Sequence, residues 1–264
     1  MNLNLKDKHV LITGGSKGIG YSCVEAFLNE GARVSIVSRN IENLNQAVKK
    51  LNERYSCSDK VNSISADLTS ESQAMSAVLN AEKHFGFIEI LVNCAGHAKR
   101  TLPENLGIQD FQDAMQAKYF SYLNVINPVI KKMGLKGTGS IVNVVGRGGK
   151  IALIEHLPGG AANSALMLVS AGLAVAYADK GVRVNVINPG ITTTDRFKER
   201  AMVDAKRENI TLQECIKSLA SQIPIKRFAE PSEIAQAVLF LASPMSSYVT
   251  GNVMAMDGGI LPII

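Results

Sequence analysis

Short aliphatic runs alternate along the chain with longer stretches in which apolar residues recur every three or four positions. "HVLITG" (His9–Gly14) reads as a buried strand, and "GYSCVEAFLNEG" (Gly20–Gly31) as a helix that stops at a glycine. "RVSIVSR" (Arg33–Arg39) is the next strand, with a helix after it through Leu51. "KVNSISADL" ends a third strand at Asp67, and "IEILVNCAG" (Ile88–Gly96) is a fourth. The pattern then predicts a long helix from about Gln109 to Met133, the strand "GSIVNVV", and another long helix from about Ala161 to Asp179. "VRVNVINPG" (Val182–Gly190) is a sixth strand, and "GNVMAMDGG" closes the series.

Alternation of this kind with short connections implies a parallel sheet covered on both faces. The expected architecture is a single Rossmann-type, doubly wound α/β/α domain over residues 1–264, with ligands beyond the carboxyl ends of the strands. A polar, helix-forming insertion from about 194 to 227 reads as a lid over that edge. Its Met202 and Ile210 face either a pocket or the lid's own packing.

Composition narrows the function. With 46% hydrophobic and 19% charged residues and no tryptophan, the chain reads as globular and rich in small and β-branched residues. The net charge of +5 is scattered. Lys198, Arg200, Lys206 and Arg207 are interleaved with Glu199, Asp204 and Glu208, which reads as a solvated helix face and not a nucleic-acid surface. Four cysteines without CxxC spacing read as reduced thiols in a cytoplasmic protein, and no metal site is expected. The polar start "MNLNLKDKHV" is no signal peptide, and no apolar run reaches the roughly 18 residues of a membrane helix, so no membrane partner is expected.

"TGGSKGIG" (Thr13–Gly20) follows a strand and opens a helix. Gly14 permits the tight turn, Gly18 lets backbone approach a pyrophosphate, and Gly20 lets helix and strand pack closely. The turn, with Ser16, Lys17 and Ile19, offers N–H groups and a positive dipole end to phosphate. At the end of the second strand an NAD site would carry an acid. Here stand Ser38 and Arg39, with Lys17 on the same side. Two cations and a hydroxyl suit a 2′-phosphate, so the expected cofactor is NADP(H).

Together these residues resemble the short-chain dehydrogenase/reductase family. "TGGSKGIG" matches its TGxxxGxG turn, "VNCAG" (Val92–Gly96) is similar to its NNAG motif, "ADL" (Ala66–Leu68) to its adenine-side strand end, and "NPGITTTD" (Asn188–Asp195) to its PG motif. "RFAEPSEIAQAVLFLASPMSSYVTGNVMAMDGG" (Arg227–Gly259) resembles its C-terminal signature. The resemblance implies that Asp67 and Leu68 flank the adenine and that Asn93, Ala95 and Gly96 line the nucleotide cleft. It also implies that Pro189, Gly190, Thr192 and Thr194 hold the nicotinamide end and the phosphates. Asn93 has a second reading, as an asparagine that only ties two strands together.

Members of the family usually carry an Asn–Ser–Tyr–Lys set: Tyr delivers the proton, Lys lowers the Tyr pKa and holds the ribose, Ser orients the carbonyl, and Asn supports a water. By the resemblance these positions are Lys118, Gly146, Gly159 and Asn163 here, so all four are replaced. Two readings stay open. In one, other residues supply the acid: His156, seven residues before Asn163, with an imidazole near its ordinary pKa of about 6.5 as donor. Asn163 would then hydrogen-bond the ribose and Lys118 restore the missing cation, in an NADP(H)-dependent reduction of a carbonyl or activated alkene. In the other, hydride transfer is lost and the chain is an NADP(H)-binding sensor or partner subunit. Gly159 leaves empty volume where a phenol would stand, to be filled by substrate or water. "GRGGK" (Gly146–Lys150) is either a seat for an anionic substrate or a plain turn. The partners expected are a small-molecule substrate and a second copy of the chain, as homotetramer or homodimer. The apolar tail "GGILPII" is expected at an interface between copies.

Overall fold

The first strand, β1 (His9–Thr13), is buried along its whole length, as its unbroken apolar run requires. The computed structural model describes residues 2–262. In chain order the further elements are α1 (Gly18–Asn29), β2 (Arg33–Ser38), α2 (Ile41–Tyr55), β3 (Val61–Ser65), α3 (Glu71–Phe85) and β4 (Ile90–Asn93). Then come α4 (Ile108–Ala114), α5 (Ser121–Lys136), β5 (Gly139–Val144), α6 (Leu157–Tyr177) and β6 (Val182–Pro189). The chain closes with α7 (Asp195–Glu208), α8 (Leu212–Ser221), α9 (Pro231–Ala242) and β7 (Val253–Met256).

The seven strands form one sheet in the order β3-β2-β1-β4-β5-β6-β7, and every described pairing is parallel. The order reverses direction between β1 and β4, so the carboxyl edge opens there into a crevice, as in Rossmann-type folds. Two apolar layers flank the sheet. One packs α3, α5 and α6 through residues such as Ala77, Tyr122, Ile126 and Leu166. The other packs α1 and α9 through Val24, Phe27, Ile234 and Val238. A third cluster lies apart, where Phe197, Ala201, Ile223 and Phe228 pack the lid helices α7 and α8 onto the sheet's end.

Local chemistry sets the helix starts. Asn40 accepts a hydrogen bond from the Asn43 amide (2.7 Å) at the head of α2, and Thr211 and Glu214 form a reciprocal capping box on α8. The faint apolar stripe of α3 is made of Ala74, Ala77, Val78 and Ala81, small residues that give a weak periodic signal. The helix expected from about Gln109 to Met133 is broken: a π-helical turn, Met115–Phe120, separates α4 from α5. The Ser121 hydroxyl donates to the Ala117 and Lys118 carbonyls there, and such wide turns collect at functional sites.

One further expectation changes. Helix Ile154–Lys180 is long and apolar enough, by length and composition, to cross a membrane. Its Ala, Gly and Ser residues disguise this in the sequence; in the fold Ala162, Leu166, Ser170 and Ala174 bury one face against the protein. The tail expected at an interface between copies also makes contacts within its own chain. Ile260 packs into the lid cluster and the Leu261 amide donates to Asp257 (3.1 Å), while Ile263 and Ile264 lie outside the described residues.

Candidate active site

A cleft of about 510 Å³ opens at the carboxyl edge where β1, β2, β3 and β4 end. Its floor is the glycine turn before α1. A Cβ on Gly20 would fall 2.2 Å from the Gly14 carbonyl oxygen, and one on Gly14, at φ +69°, would fall 2.8 Å from the Ala95 nitrogen. The turn can pack this tightly only because it carries no side chains there. Gly14, Ser16, Lys17, Gly18, Ile19 and Gly20 all line the cleft.

Ser38 and Arg39 line one end of it, and the Ser16 hydroxyl donates to that of Ser38 (3.0 Å). No carboxylate stands at the end of β2, where Arg39 and Asn40 follow Ser38. Asp67, just beyond β3, accepts from the Thr69 amide (3.0 Å) and hydroxyl (2.8 Å). Asp67 and Leu68 line the cleft beyond β3, Ala95 and Gly96 beyond β4, and Thr194 from the head of α7. A glycine-floored crevice with two cations and two hydroxyls at the β2 end, and no competing acid there, fits a dinucleotide carrying a 2′-phosphate.

Five residues expected at the cofactor stand outside the lining of this cleft. Asn93 is fully buried and ties strands: its Oδ1 accepts from Thr13 (3.2 Å) and its Nδ2 donates to Asn143 (2.9 Å), which donates on to Ser170 (2.9 Å). Pro189 pairs with Met256, and the Gly190 amide donates to the Met256 carbonyl (3.0 Å). Thr192 is buried in a bridge to Ala229. These three join β6 to the C-terminal segment. Asn163 lies farther along the same edge, on α6. In the opposite direction, the cleft gains residues that the sequence pattern did not flag, among them His97, Ser121 and Arg196. His97 and Arg196 each stand one residue past a matched motif, directly after Gly96 and Asp195, so their places were open to inference.

Beside the cleft lie Lys118, Gly146, Gly159 and Asn163, the four positions that the family resemblance singled out. Gly159, in the first turn of α6, is not a void. A Cβ built on it would lie 2.2 Å from His156 Cε1, 2.3 Å from His156 Nε2 and 2.8 Å from the Ala98 Cβ. The imidazole of His156 therefore fills the volume expected to be empty. Gly146 is filled from the other side: its Cβ would stand 3.1 Å from Asn163 Nδ2. Lys118 sits on the π-turn, whose Ala117 carbonyl would lie 2.5 Å from a Cβ on Gly96. Only glycine fits there, so the strand end and the π-turn meet closely.

The electrostatics of this corner are one-sided. Burial, and then the Arg100, Lys118 and Arg200 charges, push the His156 imidazole down to about 4. His156 is thus neutral at neutral pH, and the expectation of an imidazole near its ordinary pKa is corrected. Burial, and then Arg196, push the Lys118 ammonium down to about 8. Its side chain is only partly covered by surface area, but the ammonium is densely surrounded. Three buried polar atoms here lack partners: Asn163 Oδ1, His156 Nδ1 and Thr101 Oγ1. Unpaired buried polar atoms are costly in a finished core and ordinary in a site that receives a ligand.

The lid residues divide. Met202 is 55% and Ile210 37% exposed, so neither belongs to the lid's own packed cluster. Among the described residues no group of His, Cys, Asp and Glu could hold a metal ion, and all four cysteines are free thiols.

Residues 14–261 match a family model described as enoyl-(acyl carrier protein) reductase. The chain is 34% identical over 262 residues to a 3α-hydroxysteroid dehydrogenase of Mediterraneibacter gnavus, covering 98% of both chains. Its fold superposes with a TM-score of 0.94 on an L-sorbose reductase from Gluconobacter frateurii complexed with NADPH and L-sorbose, at 28% identity and 100% coverage of both. An NADPH-bound short-chain oxidoreductase from Pseudomonas aeruginosa, described as containing an atypical catalytic center, superposes with a TM-score of 0.88. It shares 28% identity, with 97% of this chain and 98% of that chain covered.

The contact between His156 and Gly159 generates a direct test. Gly159→Ala should destabilise the protein by about 1–3 kcal/mol through overpacking against the imidazole. In a His156→Ala background the penalty should shrink but not vanish, because the Ala98 Cβ still stands 2.8 Å away. Urea unfolding of the four proteins gives the coupling energy; strictly additive effects would show that the ring does not occupy that space.

Proposed function

The chain belongs to the short-chain dehydrogenase/reductase family, and on that premise we propose that it is an NADP(H)-dependent reductase of a carbonyl or activated alkene with Lys118 as its proton donor. The observation that carries this reading is the Lys118 pKa of about 8 beside a neutral His156. A general acid works best when its pKa lies near the working pH. A neutral imidazole donates a hydrogen bond without giving up its proton, a division of labour known from other active sites.

NADPH, when bound, supplies the hydride. Lys17, Ser38 and Arg39 hold the 2′-phosphate, and the amides of the Ser16–Gly20 turn hold the pyrophosphate. Asp67 and Leu68 flank the adenine. Asn163 Oδ1, buried and unpartnered, accepts from a ribose hydroxyl. His156 donates a hydrogen bond to the substrate oxygen and steadies developing negative charge. Lys118 Nζ gives up its proton as that charge forms. Asn163 and Lys118 thus split the two duties of the usual lysine, ribose contact and positive charge. The lid helices α7 and α8 close over the substrate.

The proposal extends to assembly and setting. Leu168 (77%) and Val175 (80%) stand out from α6, and that apolar face is where a second copy packs, giving a cytoplasmic homodimer or homotetramer.

Two measurements test this reading. Arg39→Ala should weaken NADPH binding by about 1.5–3 kcal/mol, roughly ten- to a hundredfold, and leave NADH binding unchanged; equal loss for both nucleotides contradicts a 2′-phosphate contact. Over a panel of ketones and enones, kcat for NADPH consumption should fall as pH rises through about 8, because the donor form of Lys118 is lost. Lys118→Met should lower kcat by about 10²–10⁴-fold and abolish that pH limb. A protein that binds NADPH tightly and consumes none with any member of the panel is instead a nucleotide-binding protein that has lost transfer.

A further inference from the structure

Behind His156 lies a group of arginines that the cofactor cleft does not use. Arg147 opens the short turn after β5; Arg100 lies in the segment after β4; Arg200 is on α7. None of the three lines the nucleotide cleft. After burial, Arg200 and Arg147 lower Arg100, Arg200 lowers Arg147, and Arg100 and Arg200 both lower His156.

The acids nearby are already committed. Glu155 bridges Arg100 (3.6 Å) and Arg207 (3.2 Å). Asp204 pairs with Arg200 (3.2 Å) and Arg207 (3.6 Å). Asp257, which also acts on Arg147, accepts from the Gly259 and Leu261 amides (3.1 Å each). Arg147 is left half-buried, with no ion pair or side-chain hydrogen bond among the described residues.

The turn that carries Arg147 is fixed. The Ser164 hydroxyl donates to the Gly149 carbonyl (2.7 Å), and Cβ atoms on Gly149 and Gly160 would collide with the α6 and Gly148 backbones (2.7 Å each). A Cβ on Gly148 would touch the His156 ring (3.3 Å), so the turn adjoins the proposed proton-transfer corner. The partnerless His156 Nδ1 and Thr101 Oγ1 lie around the same corner, just before α6 and just after Arg100. Asp257 acts on the half-buried Arg147 guanidinium without pairing or hydrogen-bonding with it, and a planar anionic group would supply the paired hydrogen bonds it lacks.

We propose that the substrate carries an anionic oxygen head, a carboxylate or a phosphoryl group, which Arg147 receives with Arg100 and Arg200 around it. This rests on the reductase reading, because it takes the occupant of this corner to be the reducible substrate. The head docks beyond His156 and sets the distance between itself and the reacting carbon.

Isothermal titration of the NADP⁺-loaded protein with two matched pairs tests the proposal: levulinate against methyl levulinate, and dihydroxyacetone phosphate against dihydroxyacetone. At least one anionic probe should bind about tenfold or more tighter than its neutral partner, and the pair that shows the gain identifies the head group. Arg147→Gln should erase the gain with NADP⁺ affinity kept, and Arg147→Lys, which keeps charge and loses the fork, should retain part of it. If Arg147→Gln does not fold, the partial loss in Arg147→Lys carries the test. A wild type that holds neither anion more tightly than its neutral partner overturns the proposal, as does a preference that survives the loss of Arg147 in a folded variant. Because binding is read without turnover, anion preference in an inert protein sinks the reductase reading alone. Reduction of neutral ketones without anion preference sinks this proposal alone.

Discussion

Cations held in partly dry space at the carboxyl edge of the sheet constrain everything the site can do. Lys118, Arg196, Arg100, Arg147 and Arg200 lie toward one corner: Arg196 acts on Lys118, Arg200 on Arg100 and Arg147, and Arg100, Lys118 and Arg200 on His156. Water would screen them; the packing of α6, the π-turn and α7 keeps much of it away. Two results follow, from burial first and from these charges second. An ammonium falls into the range useful for proton transfer, and an imidazole is fixed in its neutral form. The field also makes the corner a place for negative charge, whether brought by a cofactor, by a substrate head or by an oxyanion forming in the reaction.

The fold makes this arrangement possible by removing side chains. At Gly159 the missing side chain gives room to the ring of His156, and at Gly146 to the amide of Asn163. Neighbouring side chains thus occupy the space beside both glycines. The nucleotide turn is built from other contacts: Gly14 packs against Ala95, Gly18 against Thr194 and Gly20 against Gly14.

Much of the architecture was legible because parallel strands must be apolar on both faces. β1, β2, β5 and β6 stand within a residue or so of where their aliphatic runs place them. The glycine turn, Ser38, Arg39 and Lys17 were legible for a related reason: phosphate recognition needs backbone and charge at fixed offsets from a strand end. The π-turn was not. It arises where the Ala117 carbonyl meets Gly96, a contact between segments far apart in sequence. The position of the His156 ring was equally hidden, since it depends on how the turn before α6 folds back on Gly159. Thr101 and the arginine group share that difficulty, because their meaning lies in burial and in which carboxylates are already paired. Asn93 shows the converse: its motif suggested the cleft, and its hydrogen bonds to Thr13 and Asn143 place it in the sheet.

The central claim is that Lys118 is held in an environment that makes it a proton donor near neutral pH. The most direct measurement is a pH titration of the Lys118 ε-carbon by NMR in the nucleotide-free protein labelled with ¹³C-lysine, with the signal assigned by its loss in Lys118→Arg. A midpoint at about 8 is the predicted result. A midpoint at the ordinary lysine value of 10.5 would contradict the account, because the corner would then lack both the burial and the crowded charge from which the chemistry is derived.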